Sequence, residues 1–302
     1  MTIRPQHVST LLLCLLFLLG TGAAAMASDD TPAGSKRPKI GVALSGGGAR
    51  GAAHAGVLRV LEQHRVPIDY IAGTSMGSII AGLYASGMTP DEIEHALDSM
   101  DWEHIFDDDP PREERSFRRK RDDDLYLIKA KPGIRDGELQ FPAGLVQGQK
   151  FDLALRELTL PVVTVDDFDD LSIPFRAVAS DIGTGEEVVL DGGDLAKAMR
   201  ASMAVPGAFA PELIDGRVLV DGGITNNLPI SVVRDMGADI VIAVDISTPL
   251  SDPDEVRNVL EITAQLTSIM TRTNTVRQIA SLGERDILIV PDLGDIGSAD
   301  FT

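Results

Sequence analysis

The sequence predicts an α/β fold, namely a three-layer α/β/α sandwich with a mostly parallel central sheet. Two series of short apolar runs with strand character alternate with helix-like runs, and this alternation is typical of parallel strands covered by helices on both faces. Glycine-rich turns stand where several strands give way to helices. The chain has 302 residues, of which 44% are apolar, so it can bury the core of one substantial domain.

The predicted elements follow the chain in two series. In the first, a helix begins at Thr89-Pro90-Asp91-Glu92, which has capping-box spacing and a proline at the first helical position. The runs before it are strand 39–45, helix 50–64, strand 68–73 and helix 75–86. The second series comprises strand 174–182, helix 194–202, strand 217–221, helix 228–236, strand 239–247, helix 254–281 and strand 287–291.

A serine stands at one of these strand-to-helix turns. Ser75 lies within Gly73-Thr74-Ser75-Met76-Gly77, after the apolar run 68–72 and before the run 78–84. Such a nucleophile elbow holds a serine in a strained backbone conformation with its hydroxyl exposed, and the flanking glycines allow strand and helix to approach closely. The pattern predicts that Ser75 is a nucleophile.

Two further motifs lie at strand ends. Residues 46–51, GGGARG, end the strand-like run 39–45 and open a helix. Backbone N–H groups at such a turn are unobstructed and favour an anion, either a phosphate or the oxyanion of an attacked ester. Asp221, in an Asp-Gly-Gly motif, follows the strand-like run 217–220. Its carboxylate therefore belongs at a strand end, where open α/β sheets bind ligands.

The histidines restrict the mechanism. None lies after residue 104, so no histidine follows Asp221 to complete the order Ser, Asp, His of α/β-hydrolases. His64 and His95 fall on polar helix faces, and His54, just after the glycine loop, suits a packing or supporting role. Asp221 is the remaining base, and a carboxylate serves at neutral pH only when desolvation raises its pKa. We therefore expect a partly buried dyad of Ser75 and Asp221.

These motifs together resemble patatin-like phospholipases, a family of lipid acyl hydrolases with a Ser-Asp dyad. The similarity covers residues 39–292, which would form a domain over 39–295. It rests on the segments 46–51, 73–77, 198–209 and 221–229. The resemblance implies that Ser75 is the nucleophile and Asp221 the base, with no cofactor. It also implies an oxyanion-hole region that consists of Gly46, Gly47 and Gly48, braced by Arg50, and supporting motif glycines at Gly73, Gly77 and Gly222.

The function that follows is hydrolysis of phospholipid carboxylic esters, of phospholipase A or lysophospholipase type, through an acyl-enzyme. A general carboxylesterase or thioesterase stays open, because the motifs specify acyl transfer but not the leaving group. Two non-enzymatic alternatives are a lipid-binding relative and a nucleotide-binding protein. Gly46, Gly48 and Gly51 satisfy GxGxxG after a strand, but the acid that should hold a ribose is absent, since Asp69 comes too early.

Residues 101–124 break the alternation with charge blocks around Trp102, Phe106 and Phe117. One interpretation is a solvated loop. The other is a lid whose aromatic side chains meet acyl chains while basic side chains contact anionic lipid head groups. The basic cluster comprises Arg118, Arg119, Lys120 and Arg121.

Residues 1–27, with an apolar core and small residues at its end, read as a signal peptide for export to the periplasm, cell surface or medium, and 28–38 as a linker. The single cysteine, Cys14, lies in that leader, so the mature chain has no thiol ligand. The formal net charge of −19 disfavours nucleic acid as a partner. No acidic run fits a calcium loop, so no metal is expected. The expected partners are the lipid substrate and, transiently, a membrane surface; a homodimer stays open.

Overall fold

The structure is a computed structural model that describes residues 37–107, 113, 116–118, 133–135, 138–140, 144–247, 250, 252, 257 and 259–301. The predicted signal peptide and nearly all of the predicted linker lie outside these residues. The described strands are β1 Ile40–Leu44, β2 Tyr70–Thr74, β3 Gly133–Arg135, β4 Glu138–Gln140, β5 Gly144–Val146, β6 Phe175–Asp181, β7 Glu187–Leu190, β8 Gly207–Phe209, β9 Glu212–Ile214, β10 Arg217–Asp221, β11 Ile240–Val244 and β12 Ile287–Ile289.

The helices alternate with these strands much as predicted. The α-helices of the described residues are α1 Ala52–Gln63, α2 Met76–Ala85, α3 Pro90–Ser99, α4 Trp102–Phe106, α5 Gln149–Thr159, α6 Leu195–Ser202, α7 Ile230–Asp235 and α8 Val259–Ile279. Short 3₁₀ turns occupy Gly48–Gly51, Leu160–Val162, Phe168–Asp170 and Gly222–Ile224. The capping box predicted at Thr89 is present at the start of α3.

The central sheet is mixed. Its strand order is β12-β11-β1-β2-β6-β10-β9, and β7 also pairs with β6. The strands from β12 to β6 are mutually parallel, as the sequence predicts, whereas β7, β9 and β10 pair antiparallel. The α/β fold is thus confirmed, with an antiparallel extension at one side.

Side chains alternate between two cores on the two faces of the sheet. Val42 and Ile71 pack into the larger core with helices α1, α2, α3, α5 and α6. Ala43 and Ala72, their neighbours along the strands, pack into the smaller core with α7 and the end of α8. Because successive side chains of a strand point to opposite faces, this division places helices on both sides and forms the three layers.

The register along β6 brings two strand ends together. Ala177 and Val178 pair with both β2 and β7, and Ala179 and Ser180 pair with both β10 and β7. A strand has two edges, so β2 and β10 must share one edge of β6, end to end. Because they run in opposite directions, their carboxyl ends meet at residues 74 and 221.

Candidate active site

Ser75 forms a strained elbow between β2 and α2. Its backbone has φ 55° and ψ −127°, a region that residues other than glycine rarely adopt. The flanking glycines are sterically required, because a Cβ at Gly73 would lie 2.2 Å from the carbonyl oxygen of Gly77. One at Gly77 would lie 2.5 Å from the carbonyl oxygen of Leu44. The predicted strain and the need for both glycines are confirmed.

The backbone of the elbow is held by buried hydroxyl groups. Ser202, at the end of α6, accepts a hydrogen bond from the Ser75 N–H at 2.8 Å. The same hydroxyl donates to the Val178 carbonyl of β6 at 2.5 Å. Ser78 donates to the Ser75 carbonyl at 2.7 Å. Sequence reasoning did not assign a role to Ser202, although it lies within the segment 198–209 that carried the family resemblance.

Asp221 lies at the meeting point of β10 and β2 and is 6% exposed. Its carboxylate accepts a hydrogen bond from the Gly223 N–H at 2.7 Å, while its own N–H donates to the Ala204 carbonyl at 2.9 Å. Burial raises the pKa of Asp221 to about 6, against the N–H of Gly223 and the hydroxyl of Ser75, which donate to the charged form. The structure therefore brings the hydroxyl and the carboxylate together in a desolvated site.

The glycine loop presents two backbone donors beside this pair. The N–H of Gly46 donates to the Asn227 carbonyl, and the N–H of Ala49 donates to the Ser298 carbonyl. Within the described part of the chain, the N–H groups of Gly47 and Gly48 have no acceptor. Both residues line one cavity with Ser75. Unused N–H groups at this place have the chemistry that an oxyanion requires.

Arg50 supports the loop from outside the cavity. Its Nε donates to the Ile246 carbonyl at 3.0 Å, and its Nη1 donates to the Ile296 carbonyl at 2.6 Å. These bonds fasten the glycine loop to the end of β11 and to the segment after β12. This is the bracing role that the family resemblance implies.

Among the described residues, no histidine side chain lies beside Ser75. His54 is fully buried, and its Nε2 donates to the Ser45 carbonyl at 2.8 Å. Burial lowers the pKa of His54 to about 4, so the ring is neutral and supports the end of β1. The side chains of His64, His95 and His104 are exposed. The predicted supporting role of His54 agrees with this geometry.

Asn227 joins the glycine loop to the loop of Asp221, a function that the sequence did not reveal. Its Nδ2 donates to the Gly46 carbonyl at 3.4 Å and to Ser247 at 3.0 Å. Its N–H donates to the Oδ1 of Asn274 on α8 at 2.8 Å, and Asn274 in turn donates to the Gly223 carbonyl at 2.8 Å. Helix α8 thereby fixes the spacing between the two loops.

The cavity over this site has a volume of about 540 Å³, and its lining is mostly apolar, with Thr267, Ser268, Thr271 and Ser298 among the polar residues. Three phenylalanines line it: Phe106 lies 5.3 Å from Phe209 and 5.2 Å from Phe301, measured between ring centroids. Further apolar lining comes from Val146, Met203, Val205, Ala208 and Ala299. A polar reacting corner with an aliphatic and aromatic wall suits a ligand with one ester and a hydrocarbon tail.

The segment 101–124 is only partly a loop. Trp102 and Phe106 lie in helix α4, and their rings pack at 5.5 Å between centroids. The prediction of an irregular segment was therefore wrong for residues 102–106. Phe117 is 81% exposed. Of the predicted basic cluster, Arg118 is exposed. Arg119, Lys120 and Arg121 lie outside the described residues.

The model of the patatin-like phospholipase family matches residues 42–234. The chain belongs to the patatin-like phospholipase family. The matched region contains the glycine loop, Ser75 and Asp221, which are the residues that the fold brings to one cavity. The catalytic roles of these residues in this chain are a prediction, which rests on the motifs and on the geometry above.

Relatives in this family come from bacteria and animals. An uncharacterized NTE family protein of Mycobacterium tuberculosis is 34% identical over 220 residues, which are 73% of this chain and 52% of that protein. Patatin-like phospholipase domain-containing protein 6 of Homo sapiens is 33% identical over 214 residues, or 69% of this chain and 13% of that protein. The chain thus spans about half the length of the mycobacterial relative and much less of the human one.

Solved structures with a similar chain path include two bacterial proteins. VipD from Legionella pneumophila is 15% identical with a TM-score of 0.45, and the match covers 87% of this chain and 62% of that one. ExoU from the type III secretion system of Pseudomonas aeruginosa, solved with SpcU, is 16% identical with a TM-score of 0.38, over 80% of this chain and 51% of that one.

The patatin-like arrangement leaves no support for the nucleotide-binding alternative. Asp69 accepts a hydrogen bond from the Ile40 N–H at 2.8 Å, and therefore lies at the amino end of β1. The glycine loop follows the carboxyl end of the same strand. An acid at the amino ends of the strands cannot hold a ribose whose phosphates bind the loop at their carboxyl ends.

Proposed function

We propose that this patatin-like chain hydrolyses carboxylic esters of phospholipids or lysophospholipids through an acyl-serine intermediate. The observation that carries the proposal is the composition of one cavity. Ser75, Asp221 and the N–H groups of Gly47 and Gly48 lie in one cavity, and the rest of its lining is mostly apolar. Membership of a phospholipase family supports a lipid ester as the substrate.

Acylation begins when the Ser75 hydroxyl attacks the ester carbonyl carbon. Asp221 accepts the hydroxyl proton, and its raised pKa brings it closer to the pH at which a carboxylate is an effective base. The carbonyl oxygen becomes an oxyanion, which the N–H groups of Gly47 and Gly48 stabilise. The intermediate collapses as the proton passes from Asp221 to the leaving alkoxide, which departs as the alcohol.

Deacylation repeats the sequence with water. Asp221 takes a proton from a water molecule, which attacks the acyl-serine carbonyl while the same N–H groups stabilise the second oxyanion. Collapse returns the proton to Ser75 and releases a fatty acid. The apolar wall formed by Phe106, Phe209 and Phe301 holds the acyl chain during both steps. This wall favours a long acyl chain over the short acyl groups of a general carboxylesterase.

The test compares fatty-acid release from phospholipid and lysophospholipid by the wild type and two variants. Ser75→Ala and Asp221→Asn are each expected to abolish release, and a fluorophosphonate should label Ser75 alone in the wild type. Ser281→Ala changes an exposed hydroxyl after α8, and Asp181→Asn changes the carboxylate at the end of β6 that accepts from the Gly183 N–H. Both serve as controls and should retain activity. Normal turnover by either dyad variant would show that the proposed mechanism is wrong.

Two further parts of the proposal concern the surroundings of the enzyme. We propose that residues 1–27 direct export and are removed, which amino-terminal sequencing of the protein recovered from cells would test. We also propose that the cluster from Arg118 to Arg121 contacts anionic head groups. Unchanged binding to anionic vesicles after all four residues are replaced with Gln would rule out that contact.

A further inference from the structure

Helix α8, Val259–Ile279, carries polar side chains on the face that it packs against the protein. The buried side chain of Asn274 donates to the carbonyl of Gly223 at 2.8 Å. Gln278 exchanges two hydrogen bonds with Ser231 at the start of α7, at 2.9 and 3.0 Å. The inner face of this helix is therefore a hydrogen-bonding surface that braces the loop of Asp221.

The outer face of the same helix is largely apolar, and Thr273 and Arg277 are also exposed on it. Five large apolar side chains there are between 43% and 58% exposed, namely Ile262, Leu266, Ile269, Met270 and Val276. At 3.6 residues per turn they fall within an arc of about 120°. A helix on the surface of a globular protein normally has the reverse arrangement, with its apolar stripe against the core. The exposed stripe indicates that another apolar phase covers it.

The charges on the helix distinguish between two partners that could cover the stripe, a second copy of the chain and a lipid surface. The helix contains two exposed arginines, Arg272 and Arg277, and one acid, Glu261, in a chain whose net charge is −19. In a symmetric dimer the same patch meets itself, so two faces of equal net positive charge would meet. An anionic lipid surface instead offers opposite charge beside an apolar interior, which is the environment that basic amphipathic helices occupy.

Helix α8 connects the stripe to the cavity. Thr267, Ser268 and Thr271 of the same helix line the cavity that contains Ser75. The stripe and the cavity lining are thus two faces of one rigid element. A helix that rests on a lipid surface through the stripe would hold the cavity on its opposite side, about one helix diameter (roughly 10 Å) from the layer that contains the acyl chains.

We propose that the outer face of α8 is the surface by which the protein docks on a lipid layer, with Ile262, Leu266, Ile269, Met270 and Val276 inserted at the level of the ester groups and Arg272 and Arg277 against anionic head groups. The orientation toward substrate rests on the proposed function. Docking itself does not require catalysis, and it can be measured on an inactive protein. In the described residues, no helix is long and apolar enough to cross a bilayer.

The first experiment measures binding of the full chain carrying Ser75→Ala to vesicles of phosphatidylcholine with phosphatidylglycerol, by sedimentation. Adding Leu266→Gln and Ile269→Gln is expected to lower the partition coefficient at least about tenfold, since two apolar side chains no longer insert. Leu153→Gln with Val163→Gln, which replaces two residues 65% and 71% exposed on another surface, is the matched control and should bind like the parent. Equal binding by the stripe variant and the parent would overturn the proposal.

The second experiment replaces Arg272 and Arg277 with Gln. Binding should weaken severalfold on vesicles with phosphatidylglycerol and change little on pure phosphatidylcholine, because only the electrostatic part is lost. An equal loss on both vesicles, or none on either, contradicts the assigned contact. A dimer in sedimentation velocity that Leu266→Gln dissociates would assign the stripe to a second copy and also overturn the proposal.

Activity assays separate this inference from the proposed function. With active protein, the Leu266→Gln and Ile269→Gln variant should hydrolyse a soluble short-chain ester at the wild-type rate and lose activity on vesicles. If the wild type neither turns over esters nor reacts with a fluorophosphonate, the proposed function fails while the binding result stands. If both esters are hydrolysed normally by the stripe variant, the function stands and docking through α8 is wrong.

Discussion

Replacing Asp221 with Asn is expected to abolish ester hydrolysis and, at the same time, to stabilise the fold at neutral pH. The carboxylate is buried, and its desolvation opposes ionisation. Asparagine has the same shape and keeps an oxygen that can accept from the Gly223 N–H, now at 2.7 Å. The substitution therefore removes a buried charge without removing its hydrogen-bonding partner.

The size of the effect follows from the pKa. Burial raises the pKa of Asp221 from 3.8 to about 6, so the folded state binds the proton more tightly than the unfolded chain does. This contribution to stability is present in full below pH 3.8 and is lost as the pH rises through 6. Linkage gives a loss of roughly 3 kcal/mol in full, of which roughly 1.4 kcal/mol falls between pH 5 and pH 8.

Urea titrations of the wild type and Asp221→Asn at pH 5 and pH 8 measure this difference. All other titrating groups are shared, so their effects cancel in the comparison. The variant should gain stability over the wild type as the pH rises, by roughly 1.4 kcal/mol across this interval. The gain should appear in the midpoint of unfolding with little change in the slope.

Glu92→Gln provides a control of opposite sign. Thr89, through its backbone N–H and its hydroxyl, lowers the pKa of Glu92 at the start of α3. An acid with a lowered pKa contributes stability that is present above its unfolded pKa of 4.5 and is lost as the pH falls through its folded pKa. Urea titrations extended below pH 4.5 should therefore show the wild type losing its advantage over this variant, whereas the two should keep a constant difference between pH 5 and pH 8. If the difference between Asp221→Asn and the wild type is the same at both pH values, the carboxylate is not desolvated and the reasoning about the base is refuted.

Three further outcomes are expected. Gly48→Ala should lower kcat/KM for a soluble ester at least about a hundredfold, because the residue has φ 59° and a Cβ there would lie 2.0 Å from the Ser298 carbonyl oxygen; Gly216→Ala, at φ 77° in open space, should leave kcat/KM unchanged. Ser202→Ala should destabilise the fold by about 1–3 kcal/mol in urea titrations, since it leaves two buried backbone groups without a partner, and a retained midpoint would show that the elbow does not depend on it. The acylation rate in stopped flow should fall about tenfold per unit as the pH drops below about 6, where Asp221 becomes protonated; a flat profile would mean that another group accepts the proton.

Much of the fold and the reacting pair could be predicted from sequence because the signals are local. Gly73 is required by contacts within the turn of Ser75 itself, and the capping box joins Thr89 to Glu92 by three hydrogen bonds. Apolar runs between such turns mark strands buried on both faces. Each of these patterns lies within about ten residues, so one sequence suffices to find them.

The remainder depends on contacts between distant segments. Ser202 meets Ser75 across 127 positions, and Asn274 meets Asn227 across 47. Neither a serine at a helix end nor an asparagine within a helix has a pattern that distinguishes it from a surface residue. The antiparallel direction of β10 was hidden for a related reason, because a strand's own sequence does not reveal its neighbour. The exposed stripe of α8 reverses the usual periodicity, so its orientation was readable only from burial.

Because β2 and β10 pair end to end along one side of β6, the backbone of β6 fixes the distance between the reacting groups. The gap between hydroxyl and carboxylate is set by peptide units of β6, each about 3.3 Å long, and one inserted residue would also turn the following side chains to the other face. Diversification of this scaffold should therefore keep the length of β6 and the glycine loop, while the apolar residues that line the cavity vary. A designer who seeks new substrates should replace side chains that line the cavity and keep β6 unchanged.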